Sequence, residues 1–227
     1  MIILRSLLKK IRWPLSCLIF LFSCSQAKEN IQVSSFKEDT VAKKAFVQRA
    51  FSQIIKAEIL VHSGDIITRT GNDFTSQSLK TLNQRDKTFS HCGIACIEND
   101  SVFVYHALGG DWNPDQKIRR DPFVQFAEPY SNNEMGIFRF DMAPAETANL
   151  IKVARQFYEE AISFDMAFDL KTDDKMYCAE FVYKSLVKAS GGKLHFPISH
   201  LGKFEFIGVD DIILHPDCKK QIHLVYK

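Results

Sequence analysis

The spacing of apolar residues along the chain predicts three long helices. Between residues 36 and 57, apolar side chains recur every three or four positions, the spacing that lines one face of an α-helix. The same spacing occurs from Pro144 to about Ile162 and again from about Lys175 to Ala189. Gly191 and Gly192 follow the last segment, and glycine commonly ends a helix because it tolerates a left-handed backbone.

Shorter apolar runs predict strands, two of which form a hairpin. Gly93–Ile97 and Val102–Ala107 flank the sequence Glu98-Asn99-Asp100-Ser101, and Asn and Asp favour the tight turn that joins antiparallel strands. Further strands are expected at Met135–Phe140 and Gln221–Tyr226. Because helices and strands are mixed without a repeating strand–helix–strand order, we expect an α+β fold with an antiparallel sheet packed against helices.

Two polar stretches interrupt this pattern. Residues 25–35 predict a short tether. Residues 109–134 are rich in Gly, Pro, Asp and Asn, and predict a long surface excursion. Loops of that length are often functional, so its aromatic residues are candidates for the wall of a substrate groove. These residues are Trp112, Phe123, Phe126 and Tyr130.

The first 23 residues resemble a lipoprotein signal peptide. A basic start precedes an apolar run at residues 13–22, which is shorter than the roughly 20 residues that span a bilayer. The sequence Leu21-Phe22-Ser23-Cys24 then resembles a bacterial lipobox, whose cysteine becomes lipid-modified. The implied mature chain starts at Cys24 and is anchored by acyl chains in the cell envelope, on the outer membrane facing the periplasm if the host is Gram-negative. The alternative is an ordinary signal peptide.

Composition indicates one globular domain after this segment. Of the 227 residues, 46% are hydrophobic, which excludes a disordered chain. Without residues 1–23 the chain has 25 basic and 27 acidic residues, so no nucleic-acid partner is expected. Six cysteines are too few for a disulfide-stapled scaffold. The expected division is a signal peptide at 1–23, a tether and N-terminal helix at 24–57, and the main domain at 58–227.

Cys178 is the first candidate for catalytic chemistry. It lies near the expected start of the helix at 175–189, where the polar residues 172–174 are candidates for the N-terminal cap. Free backbone amides and the helix dipole at this position favour a thiolate. Glu180 and Lys184 are expected to pair on the outer side of the same helix. The alternative interpretation of Cys178 is a buried structural cysteine.

The hairpin brings two histidines to one face. A turn at Asn99–Asp100 places Gly93 opposite His106 and makes His91 the diagonal neighbour of His106, about 7–8 Å away. Gly93 has no side chain to separate the two imidazole rings. A nucleophilic thiol needs a base, and the base needs a third group to orient it. Cys178, His91 and His106 are the candidates for these three roles, in that order.

The remaining hairpin cysteines are interpreted as core residues. Cys92 and Cys96 lie on the face opposite to the histidines, and four strand positions separate them by about 13 Å. That distance is too great for a direct disulfide.

Three motifs together resemble the YiiX/YaeF family of permuted papain-like enzymes, which is related to the NlpC-like cysteine hydrolases. They are Gly64–Ile67, Ser90–Ile94 and Tyr177–Tyr183, and the resemblance covers roughly residues 60–226. The order of His before Cys along the chain is the order that permutation of a papain site gives. The resemblance assigns the base to His91 and the nucleophile to Cys178, and His106 occupies the third position.

This resemblance implies that residues 58–227 form a catalytic domain with a permuted papain-like fold. It implies a lipid-anchored cysteine hydrolase that cleaves a peptide or acyl amide through an acyl-enzyme, without a cofactor. Three alternatives stay open at this point. They are a zinc site formed by His91, His106 and Cys178, a non-catalytic lipoprotein that binds cell-wall peptide or lipid in the same groove, and a lipid acyltransferase.

Overall fold

The computed structural model describes residues 25–110, 113 and 115–227, and their side chains from residue 40 onward. The helices are α1 (Ser25–Glu58), α2 (Phe74–Leu79), α3 (Phe123–Phe126), α4 (Pro144–Glu159), α5 (Cys178–Ala189) and α6 (Val209–Ile213). The strands are β1 (Ile66–Gly71), β2 (His91–Glu98), β3 (Ser101–Ala107), β4 (Ile118–Pro122), β5 (Asn132–Phe140), β6 (Ser199–Leu201), β7 (Phe204–Phe206) and β8 (Cys218–Val225). A short 3₁₀ helix, Lys80–Leu82, follows α2.

Six strands form one antiparallel sheet, in the order β4-β3-β2-β1-β5-β8. The predicted hairpin is β2 and β3, and its register pairs Ile97 with Val102 and Ala95 with Val104, as the turn position required. Asn99 and Asp100 both have positive φ, 49° and 63°, which is the left-handed backbone of a two-residue hairpin turn. The predicted register is therefore confirmed.

Alternation along the strands gives the sheet two apolar faces, and helices cover both. On one face, Ile66 and Ile94 belong to the core that includes residues of α4, α5 and α6. On the other face, Ile67 and Ala95 pack in the core that includes α3 and the end of α1. The mixed helices and antiparallel sheet confirm the predicted α+β class.

The N-terminal helix is longer than its apolar pattern predicts. α1 begins at Ser25, so the stretch expected to be a tether is helical. The prediction failed because a helix that is polar all round carries no apolar stripe to reveal it. The residues that the structure describes divide into two compact units, with the boundary between Ala45 and Phe46. Within the second unit, Ala50 and Ile54 are fully buried.

The stretch at 109–134 is not an irregular excursion. It contains β4, the edge strand of the sheet, and α3. Phe123 and Phe126 are completely buried in the core and do not line a groove, whereas Tyr130 is exposed. Trp112 lies outside the described residues. The strand was missed because an edge strand carries charged residues, which hide the apolar alternation.

The predicted signal peptide at 1–23 and the lipidated Cys24 lie outside the described residues. Among the helices of the described part of the chain, none is both long and apolar enough to cross a membrane.

Candidate active site

Cys178 is the first residue of α5, at the helix end that favours a thiolate. Its side chain is only 8% exposed. Tyr177 precedes it in extended conformation as the N-cap, and its backbone N–H donates to Glu180 Oε2 at 3.2 Å. The helix therefore begins four positions after Asp174, and the polar run at 172–174 does not cap it. The position of Cys178 in the first turn is confirmed.

The predicted pair of Glu180 and Lys184 forms, but inside the protein. Lys184 Nζ lies 2.9 Å from Glu180 Oε1, and the Glu180 side chain is completely buried. Burial raises the pKa of Glu180 to about 7, although Lys184 opposes this shift. The outer position expected for Glu180 was wrong because its carboxylate turns inward to cap the start of α5.

His91 and His106 are in direct contact, as the hairpin register predicts. His91 Nε2 lies 2.9 Å from His106 Nδ1, and the rings meet edge to face. The contact depends on Gly93, a residue of β2 that faces β3 at this point. A Cβ atom at residue 93 would approach Tyr105 O to 2.6 Å and His106 Cβ to 2.8 Å. Any larger residue would push β2 and β3 apart at the histidines.

Asp121 is a fourth member of the site that the sequence did not reveal. His106 Nε2 lies 3.1 Å from Asp121 Oδ2. Arg119 holds the same carboxylate, with Nη2 2.8 Å from Oδ1. Strand β4 brings both residues to β3, pairing Arg119 with His106. The only sequence signal was an acidic residue following two arginines within the stretch expected to be a loop.

These contacts determine which nitrogen of each histidine carries a proton. The pKa of Asp121 is well below its ordinary value because hydrogen bonds from His106 and Arg119 outweigh burial, so the carboxylate only accepts. His106 must then donate from Nε2, and its Nδ1 accepts the Nε2–H of His91. Asp121, His106 and His91 thus form a hydrogen-bonded row. In this row His91 Nδ1 carries no proton and is free to act as a base.

Burial favours the neutral form of both histidines. Burial lowers the pKa of His91 to about 4, against the opposing influence of Cys178. Burial likewise lowers the pKa of His106 to about 4, although the hydrogen bond to Asp121 raises it. A neutral imidazole with a free Nδ1 accepts a proton, which is the property that a general base requires.

The pKa of the Cys178 thiol lies well below its ordinary value. A hydrogen bond with the Cys92 side chain is the largest influence that lowers the pKa of Cys178. Burial opposes this shift, and the charge and hydrogen bond of His91 support it. Cys92 itself is fully buried, and burial raises its pKa, so it keeps its proton as a donor. Its predicted core position is confirmed, but it also touches the site.

A family model matches the part of the chain that contains these residues. The model is described as the permuted papain-like amidase enzyme family YaeF/YiiX, C92, and it matches residues 60–206, more than half of the chain. The chain belongs to this family. The resemblance read from the three motifs is confirmed, and with it the permuted papain-like fold.

Two C92 relatives extend the comparison. The uncharacterized protein YiiX of Escherichia coli (strain K12) is 22% identical over 131 residues, which are 57% of this chain and 59% of YiiX. The chain thus matches about three fifths of that relative's length. A solved structure described as the metalloprotein yiiX from Escherichia coli O157:H7 has a TM-score of 0.59 at 17% identity, and covers 72% of this chain and 98% of its own. The second likeness establishes a shared fold.

Replacing Cys92 is expected to change the pH at which the Cys178 thiol loses its proton. In Cys92→Ala the thiolate loses its strongest donor, so the pKa of Cys178 should rise. The pH dependence of Cys178 alkylation by iodoacetamide, followed by mass spectrometry, measures this change. Cys92→Ser is the matched control, because a hydroxyl also donates and should retain most of the effect. An unchanged titration in Cys92→Ala would show that the donor has no role.

Proposed function

We propose that this C92-family protein is a cysteine hydrolase that cleaves a peptide or acyl amide through an acyl-enzyme on Cys178. The family consists of amidases. The observation that carries the proposal is the hydrogen-bonded row in which Asp121 orients His106 and His106 orients His91 beside the thiol. Such a row supplies a nucleophile, a base and the groups that hold the base in one tautomer.

The proposed reaction begins with proton transfer from Cys178 Sγ to His91 Nδ1. The thiolate attacks the amide carbonyl carbon, and the new oxyanion lies at the start of α5, where backbone N–H groups are free. Protonated His91 then gives its proton to the leaving amine as the C–N bond breaks. His91 next removes a proton from water, which attacks the thioester, releases the acid and restores the thiol. The backbone N–H of Cys178 is the proposed first oxyanion donor.

Asp121→Asn is expected to reduce turnover by about 10–100-fold, the loss typical of outer residues that orient metal-bound histidines, because Asp121 acts on His91 only through His106. An amide presents both a donor and an acceptor, so His106 loses the partner that fixes its tautomer. Hydrolysis of the substrate amide measures the loss, and its pH profile distinguishes a changed tautomer from a changed fold. Glu98→Gln is a matched control, since Glu98 also pairs with an arginine, Arg120, away from the row.

A metal ion has no place in this proposal. One relative is described as a metalloprotein, but the described residues of this chain contain no group of three or more His, Cys, Asp and Glu side chains suited to a metal. His91 and His106 also direct their ring nitrogens at each other, so a shared zinc ion would have to break that hydrogen bond. The donor set does not fit the ion, and no step is assigned to one.

A panel of peptide amides and N-acyl amides tests the proposal. Full-length protein is mixed with each compound and quenched in acid, and the intact mass is measured. An acyl adduct on Cys178 that decays with release of acid supports the hydrolase. Decay only in the presence of an added amine or alcohol would identify an acyltransferase. Tight binding without any adduct would identify a non-catalytic binding protein.

The anchor is a separate proposal, supported by the lipobox resemblance at residues 21–24. Cys24→Ala in the producing cell is expected to move the protein from the membrane fraction to the soluble fraction, because the acylated residue is lost. Cys17→Ala is the matched control and should leave the protein on membranes. Detection of both variants by immunoblot of fractionated cells measures the change. A Cys24→Ala protein that stays on membranes would contradict the anchor.

A further inference from the structure

Arg69 is a cation beside the catalytic row that the reaction described above does not use. It lies on β1 directly opposite His91 in the strand register. Its guanidinium stacks 4.5 Å from the centre of the Phe126 ring. His91 and His106 pack against that same ring, at 5.7 and 5.0 Å between centroids. One aromatic ring therefore holds the guanidinium and both histidines together.

Arg69 has no carboxylate partner within 4.0 Å in the part of the chain that the structure describes. Its Nη1 donates to Phe126 O at 2.7 Å, and this is the one hydrogen bond of its side chain to the described residues. In contrast, Arg119 and Arg139 each form a close ion pair with an aspartate. A partly buried cation without an anion is costly, and such residues are usually paired.

The unpaired edge of the guanidinium is suited to an anionic group. Because Nη1 is bonded to Phe126 O, the edge formed by Nε and Nη2 retains its parallel N–H groups. This edge binds a carboxylate through two hydrogen bonds. Burial lowers the pKa of Arg69, and the charges of Asp121, Glu128 and Cys178 act on it in the opposite direction. Because the guanidinium and His91 pack on the same ring, a group bound to Arg69 would lie beside the base of the row.

We propose that Arg69 is the anion-recognition residue of this site, and that the substrate carries a carboxylate next to the scissile amide. The inference rests on the proposed function and names the substrate class within it. It favours amides of acidic amino acids or peptides with a free carboxylate over neutral fatty-acyl amides. A phosphate shares the chemistry of the anionic oxygen group, but the planar fork of guanidinium matches a carboxylate in both hydrogen bonds.

Alkylation of Cys178 by a charged and a neutral reagent tests this proposal without knowledge of the substrate. Iodoacetate carries a carboxylate beside its reactive carbon, whereas iodoacetamide is its neutral counterpart. Rates at Cys178 are measured on full-length protein by mass spectrometry, at fixed pH and salt. We expect Arg69→Gln to lower the iodoacetate-to-iodoacetamide rate ratio by about tenfold, the size of a single nearby charge in a partly solvated site. Arg69→Lys should keep part of the preference.

Arg155→Gln is the matched control for loss of one positive charge. Arg155 pairs with Glu98 away from the row, so its variant should leave the ratio unchanged. A ratio in Arg69→Gln equal to that of the original protein would overturn the proposal. On the original protein, N-acetylglycine should slow iodoacetamide alkylation more than inorganic phosphate does. Stronger protection by phosphate would replace the carboxylate with a phosphate, and protection by neither would reject an anion site.

Failure of this inference is distinguishable from failure of the proposed function. A fast reaction with iodoacetamide and no dependence on Arg69 leaves the activated nucleophile intact and removes only anion recognition. A slow reaction with iodoacetamide, with the ratio still dependent on Arg69, would retain the anion site and reject the activated thiol.

Discussion

Replacement of Cys178 with alanine is expected to reduce amide hydrolysis to the background rate, a loss of at least about 10,000-fold. Alanine has no atom that can form the acyl bond, and no other described cysteine replaces it. Cys92 and Cys96 are buried with raised pKa values, and burial also raises that of Cys218 to about 12. Hydrolysis of a substrate found in the amide panel, with intact mass of the quenched protein, measures the loss.

The matched control for that experiment is Cys218→Ala. Cys218 is a partly exposed thiol on β8, outside the row, and its loss should leave turnover unchanged. Thermal unfolding of both variants verifies that the fold persists. Substantial hydrolysis by Cys178→Ala, or an acyl adduct on another residue, would end the assignment of the nucleophile.

Replacement of His91 with alanine is expected to cost about 1,000-fold in turnover, within the range of general acid–base catalysis. The reason is that His91 alone exchanges protons with the thiol and the leaving group. His106→Ala should cost less, about 10–100-fold, since His106 acts by orienting His91.

The pH profile provides a second readout. Because the pKa of His91 is about 4, turnover of the original protein should fall as the pH drops through that value and protonates the base.

His223→Ala is the control for this pair. His223 is a partly exposed histidine on β8, the edge strand opposite to β4, and it is hydrogen-bonded to Glu134. It should retain full turnover. His106 is completely buried, so thermal unfolding of His106→Ala is measured alongside its activity. Equal losses in His91→Ala and His106→Ala, with the fold intact in both, would mean that the two histidines do not divide the roles of base and orienting group.

The sequence was sufficient to predict the histidine pair because local rules determine it. A two-residue turn at Asn99–Asp100 sets the hairpin register, and the alternation of side chains then places His91 and His106 on one face. Gly93 was identifiable as the residue that permits their contact. Cys178 was likewise predictable, because a helix N-terminus is a local feature that apolar spacing reveals.

The rest of the site depends on contacts that no local rule specifies. Asp121 joins the row only because β4 pairs with β3, and the long connection between these strands does not set their register as a two-residue turn would. Cys92 reaches Cys178 because α5 packs on the face of the sheet that holds Cys92, and a period of two residues assigns a side chain to a face but does not say which helix covers that face. Nothing in the sequence distinguishes Arg69 from any other strand arginine, because only the structure shows that it lacks an ion pair.

The most direct test of the catalytic row is the alkylation rate of Cys178 as a function of pH, in the original protein and in His91→Ala. We expect fast alkylation well below the ordinary thiol pKa of about 8.5, and an upward shift of the Cys178 pKa when His91 is absent. Iodoacetamide with mass spectrometry of the Cys178 peptide provides the rate. A slow thiol that titrates near its ordinary value, unchanged by His91→Ala, would contradict the catalytic role of the row and favour a binding protein on a former enzyme fold.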